Sequence, residues 1–509
     1  MNKSIGRGSL ILIASGIICK LLGALFRLPL TNIIGIEGIG VFQMVMSIYS
    51  FALILTSGGV SAALSKFVSQ ARARGDYGKI RKLLRKAFSY TISLGFIMGL
   101  ILLILAKPIA SLQGASEGAS AYRLMVLLIP FGGVIAAMRG IFQGYENMTP
   151  TAVSQILEQA IKFALGILFA FIFGKKGMEM GVFGAFLGVT VGEVCAIIFL
   201  SIYMKVKTSF VSETETNLKL PFLKAVVPLS LGASVLPLVS AIDSFIVVSR
   251  LASAGFSSSA ATSLFGLQTG VVGAILNFPL ILSTSISMAI LPSVSYMDAK
   301  LSEESERSIA QSLKIMWLCL MPLVFGIAAI CRPLYSLIYP NLEPEMLNFA
   351  VNLTYFGAVS TIITALMQFF VSLLQARGAF NYCMISYIVG GVLKVLCVAF
   401  LCALPEVNIY GVVIGNIVLA SAVAIMALIR NKKRISVSFF DLSLPLLSAF
   451  AMTLAISLFL SHFELSLIMQ LVCSIIIGGG IYIFFTIPIL SQIFKDMFKK
   501  SSREKESEA

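Results

Sequence analysis

Long, unbroken runs of apolar residues dominate the sequence and restrict the folds open to it. A helix needs about 20 apolar residues to cross the hydrocarbon core of a bilayer, and the chain contains fourteen runs near this length or longer. A membrane strand needs only about 10 residues of alternating character, so continuous runs indicate helices. Hydrophobic residues make up 58% of the 509 residues and charged residues 12%, which is too little polar surface for a soluble globular protein.

The sequence therefore predicts an all-α integral membrane protein with fourteen transmembrane helices. The predicted helices cover residues 5–30, 39–64, 87–106, 122–142, 151–173, 180–204, 222–249, 261–291, 313–331, 347–374, 383–404, 409–429, 444–461 and 465–490.

A six-helix repeat divides the sequence. Gln375 follows Gln143 by 232 positions, and Lys394 follows Lys162 by the same 232 positions. Because six is an even number, both repeats have one orientation, related by a pseudo-two-fold axis along the membrane normal, and transporters built this way bind substrate between the two bundles. We expect an N-terminal lobe at 1–208, a cytoplasmic linker at 209–221, a C-terminal lobe at 222–434, two extra helices at 435–494 and a disordered, charged cytoplasmic tail at 495–509.

The positive charge of the chain, +15 at pH 7, is placed in the short loops. The two ends and the even-numbered turns hold 28 of the 38 Lys and Arg residues, whereas the odd-numbered turns hold 6. This asymmetry predicts a cell-membrane protein with both termini in the cytoplasm. No nucleic-acid motif accompanies the charge, so nucleic acid is not an expected partner. No small-residue cleavage site closes the first apolar run, so we expect it to be an uncleaved helix.

Seven of the charged residues inside the predicted helices are the candidate site residues. A charge near the bilayer centre costs about 2.5–3.5 kcal/mol on insertion scales, so such residues normally face protein or a water-filled cavity. The basic residues are predicted to bind substrate, and the acids to couple an ion or form structural pairs. The basic residues are Lys20, Arg27, Lys162 and Lys394, and the acids are Glu158, Glu193 and Asp243.

Sequence spacing proposes partners for some of these charges. Glu158 precedes Lys162 by one helical turn, which favours an ion pair between them. Asp243 lies two turns before Arg250 on one helix face, so a structural pair is expected there, although a proton or sodium site at these acids is an alternative. Lys394 has Gly390 one turn before it, and must find a distant acid or a substrate anion.

Neither a metal site nor a cofactor is expected. The eight cysteines form no C-x-x-C pair and lie mostly in apolar segments, and His462 is the single histidine. The nucleotide-binding sequence G-x-x-x-x-G-K-[ST] is absent, so transport would be driven by an ion gradient or the membrane potential.

Three segments carry a resemblance to a known family: G-I-F-Q-G-Y-E-N-M-T-P-T-A-V-S-Q-I-L-E-Q at 140–159, residues 23–43, and residues 276–295. They resemble the polysaccharide-transporter branch of the multidrug/oligosaccharidyl-lipid/polysaccharide (MOP) exporter superfamily, which also contains the lipid II flippases. The resemblance implies two six-helix lobes around a cationic cavity, with the last two helices forming a groove for a lipid tail. Arg27 corresponds approximately to a cavity arginine in the first helix of lipid II flippases.

The resemblance implies a flippase, not an enzyme. Its substrate would be an undecaprenyl-pyrophosphate-linked saccharide, such as a peptidoglycan or polysaccharide precursor, moved to the outer leaflet for cell-wall or spore-cortex synthesis. Membrane lipid and a monovalent coupling ion are the other expected partners. Three alternatives remain: a cation-coupled multidrug exporter of the same superfamily, a cell-wall glycosyltransferase or ligase of the membrane, and a scaffold for sporulation proteins. An exporter would favour an acidic or aromatic cavity, and such an enzyme a sizeable extramembrane loop with acids or histidine.

Overall fold

A computed structural model of the chain describes residues 3–207, 222–298, 303–431 and 438–508, and within these residues the backbone forms helices and no β-strand. The predicted linker at 209–221 lies outside them. In the first part of the chain the helices are α1 (Lys3–Ser57), α2 (Val60–Ala73), α3 (Tyr77–Ile104), α4 (Ala106–Leu112), α5 (Ala119–Arg123), α6 (Met125–Gly144), α7 (Thr149–Gly174) and α8 (Met178–Lys207).

The later helices are α9 (Phe222–Ser253), α10 (Ser258–Gly266), α11 (Gly273–Asp298), α12 (Glu303–Ile338), α13 (Pro344–Ala376), α14 (Phe380–Leu401), α15 (Tyr410–Arg430), α16 (Phe439–His462) and α17 (Leu467–Glu508). A 3₁₀ turn, Ser116–Gly118, precedes α5, and a π-helical segment, Leu267–Val272, joins α10 to α11.

Thirteen helical segments in the described part of the chain are long and apolar enough to cross a membrane, which confirms the all-α membrane class. The number fourteen stays a prediction, because the first segment, Ile11–Ala73, is 63 residues long and covers most of the first predicted helix and the whole of the second. The expected loop between them is replaced by a kink inside α1 at Gly35, with φ 77° and ψ 175°. Glycine adopts this conformation without the strain that a Cβ brings, so one residue suffices to redirect the helix.

The C-terminal segment differs from its prediction. We expected disorder from residue 495, but α17 continues as a helix to Glu508. Lys, Glu, Arg and Met have high helix propensity, and extending an existing helix avoids the unfavourable nucleation step. A charged composition therefore does not by itself end this helix.

The described residues group into two compact units, one within Met1–Ile281 and Ala379–Met426, the other within Leu282–Gly378 and Ala427–Ala509. The predicted lobe boundaries stay a prediction. In the first unit, α7 and α8 approach each other closely through a stripe of glycines on α8, at the four-residue spacing that lines one helix face. A Cβ on Gly188 would lie 2.2 Å from the Cα of Gly166, and a Cβ on Gly192 would lie 2.9 Å from the carbonyl oxygen of Glu158. Only glycine fits this backbone contact.

In the second unit, α12 holds α16 and α17. The indole Nε1 of Trp317 donates a hydrogen bond to the carbonyl oxygen of Leu442 at 2.9 Å. The ammonium of Lys314 lies 2.7 Å from Asp441 Oδ1, and Tyr482 Oη donates to the carbonyl oxygen of Leu318 at 2.7 Å. These contacts fix α16 and α17 to α12.

Candidate functional site

A cavity of about 490 Å³ lies among the helices of the first unit. It is lined by residues of α1, α9, α10, α14, α15 and the π-helical segment. Both charged and amide side chains face it, which is unusual inside a membrane bundle and typical of a substrate pathway. The charged and amide residues of the lining are Arg27, Gln43, Asp243, Gln268, Lys394 and Asn416.

Lys394 and Asp243 form an ion pair in the cavity wall. The ammonium nitrogen lies 2.6 Å from Asp243 Oδ2, and the two side chains are only 10% and 9% exposed. Asp243 Oδ1 is buried and has no hydrogen-bond partner among the described residues. The expected pairing of Asp243 with Arg250 is therefore corrected. Lys394 on α14 was expected to bind a distant acid or a substrate anion, and its partner in the structure is Asp243 on α9.

Arg27 and Gln43 both donate hydrogen bonds to one backbone carbonyl oxygen, that of Thr269. The distances are 3.3 Å from Arg27 Nη1 and 3.0 Å from Gln43 Nε2. Thr269 lies in the π-helical segment, where the N–H of Gly273 bonds to the carbonyl of Gln268, five residues back, instead of to Thr269. The π-helical turn thus leaves the Thr269 carbonyl available to side chains, and such turns recur at functional sites.

A second group of charges joins α6 to α7. Arg139 Nη2 lies 2.8 Å from Glu158 Oε2, and Arg139 Nε donates to Ser154 Oγ at 2.9 Å. The predicted pair of Glu158 with Lys162 is therefore wrong. The ammonium of Lys162 instead lies 5.3 Å from the ring centroid of Phe26, within cation–π range. Helix α6 places a guanidinium against the acid, and the guanidinium forms the closer contact.

Glu193 is buried beside this second group, with 3% of its surface exposed. Its Oε1 accepts a hydrogen bond from Tyr49 Oη, and its Oε2 is buried without a hydrogen-bond partner in the described part of the chain. Glu158, Arg139 and Lys162 all interact with it electrostatically. The structure thus gathers three of the predicted site residues here, and the charge of Arg27 in the cavity lining also acts on Lys162.

The seven candidate residues fall into three places. Arg27, Asp243 and Lys394 line the cavity. Glu158, Lys162 and Glu193 form the second group around Arg139. Lys20 is an exposed side chain of α1 and is not among the residues that line the cavity.

Sequence reasoning missed several polar partners. The amides of the cavity gave no signal, because an isolated Gln or Asn inside an apolar run is less conspicuous than a charge. Arg139 lies in the last turn of the predicted helix at 122–142, and Tyr49 lies in an apolar run. Among the described residues, no group of three or more His, Cys, Asp or Glu could hold a metal ion.

Solved structures share the fold of this helical, multi-pass membrane protein. An inward-facing multidrug resistance MATE family transporter of the MOP superfamily has a TM-score of 0.70 at 14% identity, covering 84% of this chain and 98% of its own. Lipid II flippase MurJ in an inward closed conformation has a TM-score of 0.69 at 14% identity, covering 97% and 99%.

The chain belongs to the polysaccharide biosynthesis protein family, whose family model matches residues 5–298. It is 30% identical to stage V sporulation protein B of Bacillus subtilis over 326 residues, and this match spans 62% of each chain. It is 25% identical to lipid II flippase MurJ of Bacillus subtilis over 423 residues, which is 78% of this chain and 77% of that protein. The relatives whose names state an activity are transporters, as the prediction of a non-enzymatic protein requires.

Proposed function

We propose that the protein is a flippase that moves an undecaprenyl-pyrophosphate-linked saccharide to the outer leaflet by alternating access, in cell-wall or spore-cortex synthesis. The observation that carries this proposal is the cavity with Arg27 and Lys394 in its lining. A diphosphate head group cannot enter hydrocarbon without large desolvation cost, and cations inside the bilayer offset that cost. Relatedness to a lipid II flippase supports the substrate class.

Within this proposal, Arg27 and Lys394 bind the phosphates, and the cavity amides contact the saccharide. Lys20 and Lys162 are proposed as further substrate contacts on the same pathway. Both termini are proposed to lie in the cytoplasm, with six-helix lobes at 1–208 and 222–434 and the extra helices at 435–494. Reporter fusions to loops predicted on the cytoplasmic side and to loops predicted on the outer side of the membrane would test this orientation.

The test is a translocation assay in reconstituted vesicles, with a fluorescent lipid-linked disaccharide pyrophosphate whose exposure is measured by membrane-impermeant quenching. The wild-type protein should expose the lipid faster than protein-free vesicles, and Lys394→Ala or Arg27→Ala should reduce the rate at least tenfold. Arg332→Ala is the matched control, because this exposed cation bonds to Asn348 and does not line the cavity. Equal rates for wild-type and protein-free vesicles, together with failure to complement a strain lacking its lipid II flippase, would reject the proposal.

A cation-coupled multidrug exporter of the same superfamily is the second candidate. The buried carboxylates of Asp243 and Glu193, each with one oxygen that has no hydrogen-bond partner in the described part of the chain, are the observation in its favour, since such groups suit binding of a proton or monovalent cation. The two functions differ in what they move. Drug-sensitive cells expressing the protein should gain resistance if it exports drugs, and should gain none if it carries only lipid-linked saccharides.

A further inference from the structure

Internal acceptors already bind both basic residues of the cavity. Arg27 donates to a neutral acceptor, the carbonyl of Thr269, at 3.3 Å. Lys394 is bound by an anion, the Asp243 carboxylate, at 2.6 Å. A phosphate that reaches Lys394 must therefore displace a group of its own charge sign.

We infer that Asp243 competes with substrate for Lys394, and so selects ligands that carry more than one negative charge. A monoanionic phospholipid head group offers Lys394 no more charge than Asp243 does. A diphosphate supplies charge to Lys394 and to Arg27 at once. This inference rests on the proposed function, because it names how the same cavity would distinguish its substrate from the surrounding phospholipid.

The contact geometry favours exchange over permanent pairing. Asp243 binds Lys394 through Oδ2 alone, while Oδ1 is buried without a hydrogen-bond partner among the described residues. Buried ion pairs recover their desolvation cost only when the remaining lone pairs are also satisfied, and here they are not. Lys394 and Asp243 both line a cavity of about 490 Å³, so an anion that enters this cavity comes next to the pair.

A matched control exists in the second unit. Lys314 and Asp441 form a Lys–Asp pair of nearly the same length, 2.7 Å, with side chains 11% and 18% exposed, and neither residue lines the cavity. Asp441→Asn therefore breaks a comparable pair without changing the charges of the cavity. Any effect shared by the two variants reports general destabilisation, and any effect confined to Asp243→Asn reports the cavity.

The experiment is calorimetric titration of the full-length protein in lipid nanodiscs with inorganic pyrophosphate and with glycerophosphoglycerol, a monoanionic phosphodiester. For Asp243→Asn we expect the Kd of pyrophosphate to fall about tenfold, which corresponds to about 1.4 kcal/mol, and binding of the phosphodiester to become measurable. Asp243→Glu and Asp441→Asn should keep the wild-type Kd values and the wild-type preference for pyrophosphate.

A measurement on the wild-type protein covers the case in which Asp243→Asn does not fold. Saturating pyrophosphate should increase carbodiimide labelling of Asp243, read by peptide mass spectrometry, because its carboxylate loses the ammonium. Unchanged labelling despite pyrophosphate binding, or an unchanged Kd in a folded Asp243→Asn protein, overturns the inference and leaves the proposed function standing. If wild type and Asp243→Asn both bind no pyrophosphate, the inference and the proposed phosphate site fail together.

Discussion

The ammonium of Lys162 lies 5.3 Å from the centroid of the Phe26 ring, while the carboxylate one turn before it on the same helix is bound by Arg139. Lys394, its counterpart in the predicted repeat, is paired with a carboxylate on another helix. Two lysines 232 positions apart thus have different partners, one aromatic and one anionic. If the halves descend from one unit, their charge networks have diverged.

The partner of Glu158 can be tested by comparing two alanine variants. Arg139→Ala leaves the carboxylate without its cation, and removing one member of a buried pair costs about 3–5 kcal/mol, less here because the side chains are 15% and 21% exposed. Lys162→Ala removes a cation–π contact worth about 0.5–2 kcal/mol. Thermal unfolding in detergent should show the larger loss for Arg139→Ala. A larger stability loss for Lys162→Ala would instead indicate that Lys162 is the partner of Glu158.

Close contact between α7 and α8 predicts a strong effect of a single methyl group. Gly188→Ala would place a Cβ 2.2 Å from the Cα of Gly166, and the helices must separate. Overpacking typically costs about 1–3 kcal/mol. Gly232→Ala is the control, because its Cβ would meet Met384 Sδ at an ordinary 3.6 Å. The fraction of monodisperse protein after heating should fall for Gly188→Ala and stay near wild type for Gly232→Ala.

The hydrogen bond from Tyr49 to Glu193 predicts a second stability difference. Tyr49→Phe leaves both carboxyl oxygens of Glu193 without a partner among the described residues, at a cost of about 1–3 kcal/mol. Tyr335→Phe removes a comparable buried hydroxyl, but its partner Thr354 keeps its bond to the carbonyl of Ala350. We expect the apparent Tm to drop more for Tyr49→Phe. Equal shifts would mean that Glu193 gains nothing from Tyr49.

Attachment of the last two helices to α12 can be followed by hydrogen exchange. Trp317→Phe removes the indole donor to Leu442 while keeping an aromatic ring, so the N-terminal turns of α16 should open more often. Amide exchange in the first part of α16 is therefore expected to accelerate. Exchange from the midpoint of α16 onward, where Phe450 packs on Phe325 with ring centroids 4.8 Å apart, should change less. Uniform acceleration along the helix would contradict a local role for the indole.

The class of fold could be predicted because it depends on apolar run length, a local property that the bilayer imposes on each helix separately. The partners of the charged side chains could not be predicted from the sequence. Spacing on one helix suggested Arg250 for Asp243, but the observed partner, Lys394, lies on α14, and its approach depends on how α9 packs. Rules for neighbouring residues on one helix do not account for a stronger contact from a second helix.

Of the two backbone irregularities, the kink of α1 and the π-helical segment, only the first has a signal in the sequence. The kink of α1 occurs at a glycine, a residue type that permits it, although a loop was predicted there. The π-helical segment has no comparable signal, because its sequence, L-Q-T-G-V-V, is an ordinary membrane-helix sequence. What distinguishes it is the pair of donors on α1 that bond to its carbonyl, and these are visible only in three dimensions.

Gly35 separates Arg27 from Gln43 along α1, yet both side chains bond to the Thr269 carbonyl oxygen. Two hydrogen bonds to one oxygen atom therefore stabilise the bend, because a straight α1 would move at least one of the two donors out of hydrogen-bonding distance. An anion that binds the guanidinium of Arg27 would break one of these two hydrogen bonds. Anion binding at Arg27 would thus weaken the contacts that keep α1 bent.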